Sequence, residues 1–199
     1  MTEWEKAQAG YLYDANYEKN IIKMREECAD LCYEFNMCRP SDTGRQKELI
    51  SKIIGNIKGN IVITAPFYCD YGINISVGDN FYTNHNVTIL DGAPVTFGDN
   101  VFIAPDCVFS TAGHPLDVEQ RNQGLEIALP ITVGDNVWIG TQVSVLPGVT
   151  IGSNTIIGAG SVVNRDIPDG VIAAGNPCKV IRKITEEDKY KYPIWNEET

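Results

Sequence analysis

From residue 131 onward the chain repeats itself every six residues. Ile or Val stands at 133, 139, 145, 151, 157 and 163, and two positions before each lie Ile131, Val137, Val143, Val149, Thr155 and Ser161. A second signature recurs over a longer stretch, in Val77-Gly78-Asp79-Asn80-Phe81, Phe97-Gly98-Asp99-Asn100-Val101, Val133-Gly134-Asp135-Asn136-Val137 and Ile151-Gly152-Ser153-Asn154-Thr155. A period of six fits neither an amphipathic helix nor an alternating hairpin sheet. It suits a coil of short parallel strands in which each hexapeptide forms one face of a triangular prism. The large aliphatic residue then points inward, the smaller one two positions earlier fits beside a corner, and Gly, Asp and Asn occupy the turns because they tolerate positive φ.

This pattern resembles the left-handed parallel β-helix. The handedness is an implication of the resemblance, because the general preference for crossover connections runs the other way. The period slips by two residues between Ile89 and Phe97, around Asp91-Gly92-Ala93-Pro94, which reads as a small bulge. It vanishes between Thr111 and Pro130, where AGHPLDVEQRNQGLEIALP forms a polar excursion. A long loop ejected from a solenoid is more often functional than accidental.

Ahead of the coil, Tyr17, Ile21, Met24, Cys28, Leu31, Cys32 and Phe35 follow helical spacing, with Arg25, Glu26, Glu27 and Asp30 mostly on the other side. Ser41 and Asp42 offer a cap for a second helix carrying Leu49, Ile50, Ile53 and Ile54. After the repeats, Thr185 and Asp188 predict a short capped helix. The expected fold is mainly β: a helical segment at 1–58, a β-helix at 59–184 with an external loop at 111–130, and a C-terminal helix and tail at 185–199.

The formal charge of -10 argues against a general nucleic-acid or anionic-membrane surface. No apolar run is long enough to span a bilayer, and the polar, acidic N-terminus is unlike a signal peptide, so the expected location is cytoplasmic. The six cysteines include no C-x-x-C pair and read as reduced, apolar residues without a metal.

His114, one of two histidines, is held between Gly113 and Pro115 in the excursion, and a neutral imidazole suits proton abstraction from an attacking hydroxyl or amine. Asp117 and Glu126 are both close enough in sequence to orient it. His85 falls within a repeat and reads as structural or as a substrate contact, with Asn84 the better polar contact. Ser110 lies in no nucleophile elbow and no cysteine neighbours a histidine, which favours direct transfer over a covalent intermediate. Lys179, Arg182 and Lys183, with Arg165, make a basic patch suited to a phosphate-bearing ligand, or alternatively a solvated surface.

The repeats together with FYTNHNVTILD, TAGHPLD, PITVGDNVWIG, VLPGVTIG, IGAGSVV and AAGNPCKVIRKI closely resemble the maltose and galactoside O-acetyltransferases, and AGYLYDANYEKN resembles their N-terminal helical segment. The resemblance implies a homotrimer with sites between subunits and acetyl transfer from acetyl-CoA to a sugar hydroxyl. It implies His114 as catalytic base and Asp14, Asp70, Asn84 and Asp91 at the acceptor. It also implies that Trp138, Thr141, Ala159, Asn164, Arg165, Lys179 and Arg182 line the coenzyme. Three departures fall on the acceptor side: Asp70 replaces a serine, Gly92 replaces one of a pair of acidic residues, and GLEIALP lacks a tyrosine and lysine. Three other readings are weaker. A zinc enzyme of the γ-carbonic anhydrase type needs three histidines, an antibiotic acetyltransferase would not carry this N-terminus, and a non-catalytic trimeric scaffold would not need His114, its loop and the basic patch.

Overall fold

The computed structural model describes residues 1–195. Three helices precede the coil: α1 (Glu3–Gln8), α2 (Lys19–Asn36) and α3 (Thr43–Ile53). The first was not foreseen. It is fixed by a reciprocal cap in which Thr2 Oγ1 accepts from Glu5 N and Glu5 Oε2 accepts from Thr2 N. Asp42 caps α3 by accepting from Arg45 N at 3.1 Å. Ile21, Cys28, Cys32 and Phe35 of α2 and Leu49, Ile50 and Ile53 of α3 are buried, as the spacing predicts. Tyr17, by contrast, is exposed.

The coil is a parallel β-helix with three faces. The first holds the strands Asn56–Ile57, Ile75–Val77, Val95–Phe97, Ile131–Val133 and Thr150–Ile151. The second holds Ile61–Ile63, Phe81–Thr83, Phe102–Ile103, Trp138–Ile139, Ile156–Ile157 and Val171–Ala174, and ends with the antiparallel strand Lys179–Lys183. The third holds Phe67–Cys69, Val87–Leu90, Val108–Ser110, Ser144–Val145 and Val162–Val163. Both apolar positions of each hexapeptide are buried, from Ile131 and Val133 to Ile157 and Val163. Thr155 and Ser161 also face inward. They are satisfied locally, Thr155 Oγ1 donating to Pro168 O and Ser161 Oγ to Gly158 O.

The Val-Gly-Asp-Asn signature marks the edge between the first and second faces, and each of its polar residues has a different task. Asn80, Asn100, Asn136 and Asn154 take the positive φ. Their side chains also stack, each Nδ2 donating to the next Oδ1 at 2.9–3.0 Å. The Asp carboxylates accept the backbone N–H of the preceding coil, as Asp135 does from Asp99 at 2.8 Å. Gly98 is not at positive φ, contrary to the expectation. A Cβ there would lie 2.2 Å from Asp135 Oδ1, so it is close approach between coils that demands glycine.

The irregularities all fall on one edge, between the third and first faces. Ile89 to Phe97 spans eight residues, and so does Cys69 to Val77, whereas the later step from Val145 to Ile151 spans six. The bulge expected at Asp91–Pro94 is therefore a widened corner, and a second one precedes it. The excursion leaves from the same edge and is itself structured: Ala112–Gly113, helix α4 (Val118–Asn122) and Leu125–Ala128. Leu125–Ala128 is the centre of a three-stranded antiparallel sheet whose other edge is Tyr13–Asp14 from the N-terminal segment. The C-terminal helix is a 3₁₀ turn, Glu186–Tyr190, with Asp188 Oδ2 accepting from Thr185 N at 2.9 Å. Residues 196–199 of the expected tail lie outside the described residues.

Candidate active site

The small antiparallel sheet is what holds His114. Gly113, just before it, pairs with Ile127, while Asp14 pairs with Leu125 on the opposite side of the central strand. His114 is exposed, and its Nδ1 lies 3.1 Å from the carbonyl oxygen of Leu125. A carbonyl can only accept, so Nδ1 carries the proton and the lone pair of the neutral ring is on Nε2. Neither candidate carboxylate orients the ring. Asp117 caps α4 by accepting from Gln120 N at 2.9 Å, and Glu126 accepts from Tyr13 Oη at 3.2 Å. Arg121 Nη1 donates to the carbonyls of Pro115 and Leu116, 3.1 Å each, and so fastens the chain just beyond the histidine.

Around this sheet the widened corners collect ionisable groups. Asp14 turns the chain by accepting from Asn16 N and Tyr17 N, at 3.1 and 2.8 Å. Burial pushes the Asp70 carboxyl up, against the opposing pull of the Arg25 guanidinium, and the Glu126 carboxylate adds to the rise. Burial likewise raises Tyr71 to about 12 and Tyr13 further still. Arg25 was assigned to the outer side of its helix by spacing. It is half-buried and turned toward this corner, with Nη2 donating to Ala15 O at 3.3 Å. Its only sequence signal is an arginine one turn before Cys28, too weak to distinguish it from other surface charges.

Asp91 requires a correction. It is fully buried, Oδ1 accepts from Asp70 N and Tyr71 N, and Oδ2 accepts from Asn74 N at 3.3 Å. Asn74 Nδ2 also donates to its backbone carbonyl. Asp91 clasps two corners together and, with no exposed surface, is out of reach of a ligand. Burial, helped by the Asp70 charge, raises it to about 6 against the pull of its N–H donors.

The remaining candidates lie elsewhere. Asn84, Thr141 and Ala159 are on the edge between the second and third faces, and Trp138, Lys179 and Arg182 are on the second face. Asn84 Oδ1 accepts from the N–H of His85, whose own ring faces the carbonyl of Ala65, so His85 is a corner residue. Trp138 is 54% exposed and pairs in register with Phe102 and Ile156, making an outward apolar stripe. Gly140 N donates to Ile157 O and Gln142 N to Pro105 O, whereas the intervening N–H of Thr141 meets no acceptor among the described residues. Ala159, Asn164, Arg165 and Lys179 are exposed near the end of the coil. Arg182 is already engaged with Asp188 by two contacts of 2.6 and 2.7 Å. A single chain therefore divides the expected residues between two edges: Asp14, Asp70 and His114 on one, with Asn164 and Arg165 at a later corner of that same edge, and Asn84, Thr141, Ala159, Trp138, Lys179 and Arg182 on or beside the other.

The chain is similar to known proteins over nearly its whole length. Residues 130–165 match the bacterial transferase hexapeptide (six repeats) model, and residues 6–59 match the maltose acetyltransferase hexapeptide capping motif. The galactoside O-acetyltransferase of Escherichia coli is 46% identical over 192 residues, 96% of this chain and 94% of that protein. The crystal structure of a maltose O-acetyltransferase from Clostridium difficile superposes with a TM-score of 0.90 at 44% identity, covering 94% of this chain and 99% of that one. A galactoside acetyltransferase in complex with coenzyme A superposes at 0.93 and 44% identity over the whole of both chains.

Proposed function

This chain belongs to the maltose and galactoside O-acetyltransferases of the hexapeptide-repeat class, and from that premise we propose that it moves acetyl from acetyl-CoA to a sugar 6-hydroxyl with His114 as general base. The observation that carries the reading is the 3.1 Å contact of Nδ1 with the Leu125 carbonyl, which leaves Nε2 as the proton acceptor on an exposed ring. Nε2 takes the hydroxyl proton as the oxygen attacks the thioester carbon in a ternary complex, and the resulting imidazolium returns a proton to the departing thiolate. The unpaired N–H of Thr141 is the donor suited to the developing oxyanion.

The residues present fit the coenzyme. Exposed Trp138 offers an apolar wall for the pantetheine arm, and Arg165, Lys179 and Lys183 offer cations for its phosphates. Arg182 joins them once Asp188 releases it. Asp14, Asp70 and Arg25 suit a polyhydroxylated acceptor, since alternating acceptors and a donor can each bind a hydroxyl. With the two groups on different edges, a closed three-fold ring would set one protomer's His114 edge against its neighbour's Thr141 edge, completing three sites per homotrimer. A cytoplasmic location, where acetyl-CoA is at hand, belongs to the same reading.

The test is thiol release from acetyl-CoA against maltose, glucose, a galactoside and an amine acceptor, with His114→Ala alongside. Loss of a positioned general base is worth roughly 10²- to 10⁴-fold in kcat. A His114→Ala variant retaining full sugar-dependent release would refute the assignment.

A further inference from the structure

Three of the six cysteines, from two separate stretches of the sequence, meet under the helical cap. Cys28 and Cys32 are one turn apart on α2, and Cys69 ends a strand of the third face. The Cys69 sulfur is 3.5 Å from that of Cys28 and 3.8 Å from that of Cys32, and all three lie within 4.8 Å of one another. All are buried, at 4, 2 and 9% exposure, and none takes part in the chemistry proposed above. Cys107 and Cys178 are equally buried but belong to no such group among the described residues, so burial alone does not bring thiols together. Bonds of about 2.3 Å from one ion to three sulfurs require the sulfurs to be about 3.5–4 Å apart. The two contacts to Cys69 already meet that condition.

We infer that Cys28, Cys32 and Cys69 form a binding site for a trivalent, thiophilic arsenical, held as a three-sulfur pyramid that fastens α2 to the coil. Charge and coordination number select this class. Zinc takes a fourth ligand, which no histidine, cysteine or carboxylate among the described residues supplies here, and Zn²⁺ with three thiolates would keep a net negative charge in this buried site. Copper(I) with three thiolates would leave two net negative charges in an apolar site near the Asp91 carboxylate, an expensive burial. Arsenous acid and three thiols yield a neutral product: As(OH)₃ and three Cys–SH give As(S–Cys)₃ and three waters, with three S–H and three As–O bonds broken, three As–S and three O–H bonds formed, and no change of oxidation state. The lone pair of arsenic occupies the apex, where no ligand is needed.

The experiment is incubation of the reduced, full-length protein with sodium arsenite, followed by native mass spectrometry and equilibrium titration. One arsenic per chain is expected, with a mass gain of one arsenic less three hydrogens, the signature of three As–S bonds. Cys69→Ala and, separately, Cys28→Ala should each weaken binding by tenfold or more and abolish that signature, whereas Cys107→Ala should leave both unchanged. Should either triad variant fail to fold, judged by circular dichroism, the other carries the comparison. The site is refuted by arsenite uptake unaffected by loss of Cys69, or by a folded protein that binds none while its unfolded chain does. Because binding is read without substrates, the outcome does not depend on the acetyl-transfer assignment.

Discussion

Replacing Tyr13 by alanine should disable the enzyme without disturbing its coil. Tyr13 is 2% exposed and packs in a small cluster with Ala7, Ala15, Ile21, Tyr71, Ala93 and Ala128, separate from the main core. Truncating a buried aromatic costs about 3–5 kcal/mol. The strand it belongs to has only two residues and pairs only with Leu125 and Glu126, so a loss of that size should undock the segment locally. The Leu125 carbonyl would then lose its fixed position and His114 its orientation. A misplacement of about 1 Å can cost 10²-fold, so kcat/KM should fall at least that far toward the His114→Ala value. Tyr13→Phe removes only the 3.2 Å bond to Glu126, worth about 1 kcal/mol, and should stay within several-fold of wild type. The assay is kcat/KM for both variants together with hydrogen exchange over residues 1–17 and 112–128. Wild-type kcat/KM and unchanged exchange protection in Tyr13→Ala would refute the argument that the N-terminal strand positions the base.

Gly98→Ala places a methyl 2.2 Å from Asp135 Oδ1 and 2.8 Å from its backbone nitrogen. It should destabilise by at least about 1–3 kcal/mol in denaturant titrations, whereas Gly113→Ala, whose nearest neighbour is 3.9 Å away, should cost far less. Arg25→Gln should raise the KM for the sugar about tenfold and leave that for acetyl-CoA nearly unchanged, since Arg25 belongs to the acceptor edge; equal rises in both would contradict that placement. Asp91 titrates near 6 in the fold and near 4 in the unfolded chain, so the fold holds its proton more tightly. Its contribution is therefore fully present below about pH 4 and declines as pH rises to 6. Wild-type stability measured relative to Asp91→Asn should fall by about 1–3 kcal/mol over that window, and a flat difference would show that the N–H donors cancel the effect of burial and leave the group titrating as in the unfolded chain.

What could be read from the chain alone followed from local periodicity. The six-residue repeat specifies which side chains face inward, and the break at 111–130 exposes the loop and its histidine. The roles that escaped depend on which corner lies above which. Asp91 looks like a ligand contact until the N–H groups of Asp70, Tyr71 and Asn74 are found converging on it. Arg25 sits among Glu26 and Glu27 with nothing local to single it out, and Cys69 is more than thirty residues from its sulfur partners. The orienting group for His114 is a backbone carbonyl, which no side-chain pattern can announce.

The bonded ladders of the Val-Gly-Asp-Asn edge leave no room for an added residue there, because one extra would break the vertical alignment of every coil that follows. The edge bearing His114 is looser: Asp91 ties two of its corners, yet its steps span six residues or eight, and between Ser110 and Ile131 the chain leaves the coil and returns to it. Mutation can thus rewrite the loop around His114 by insertion and deletion while the laddered edge keeps the coils aligned. A scaffold with one permissive seam can acquire new acceptors without having to solve its folding again.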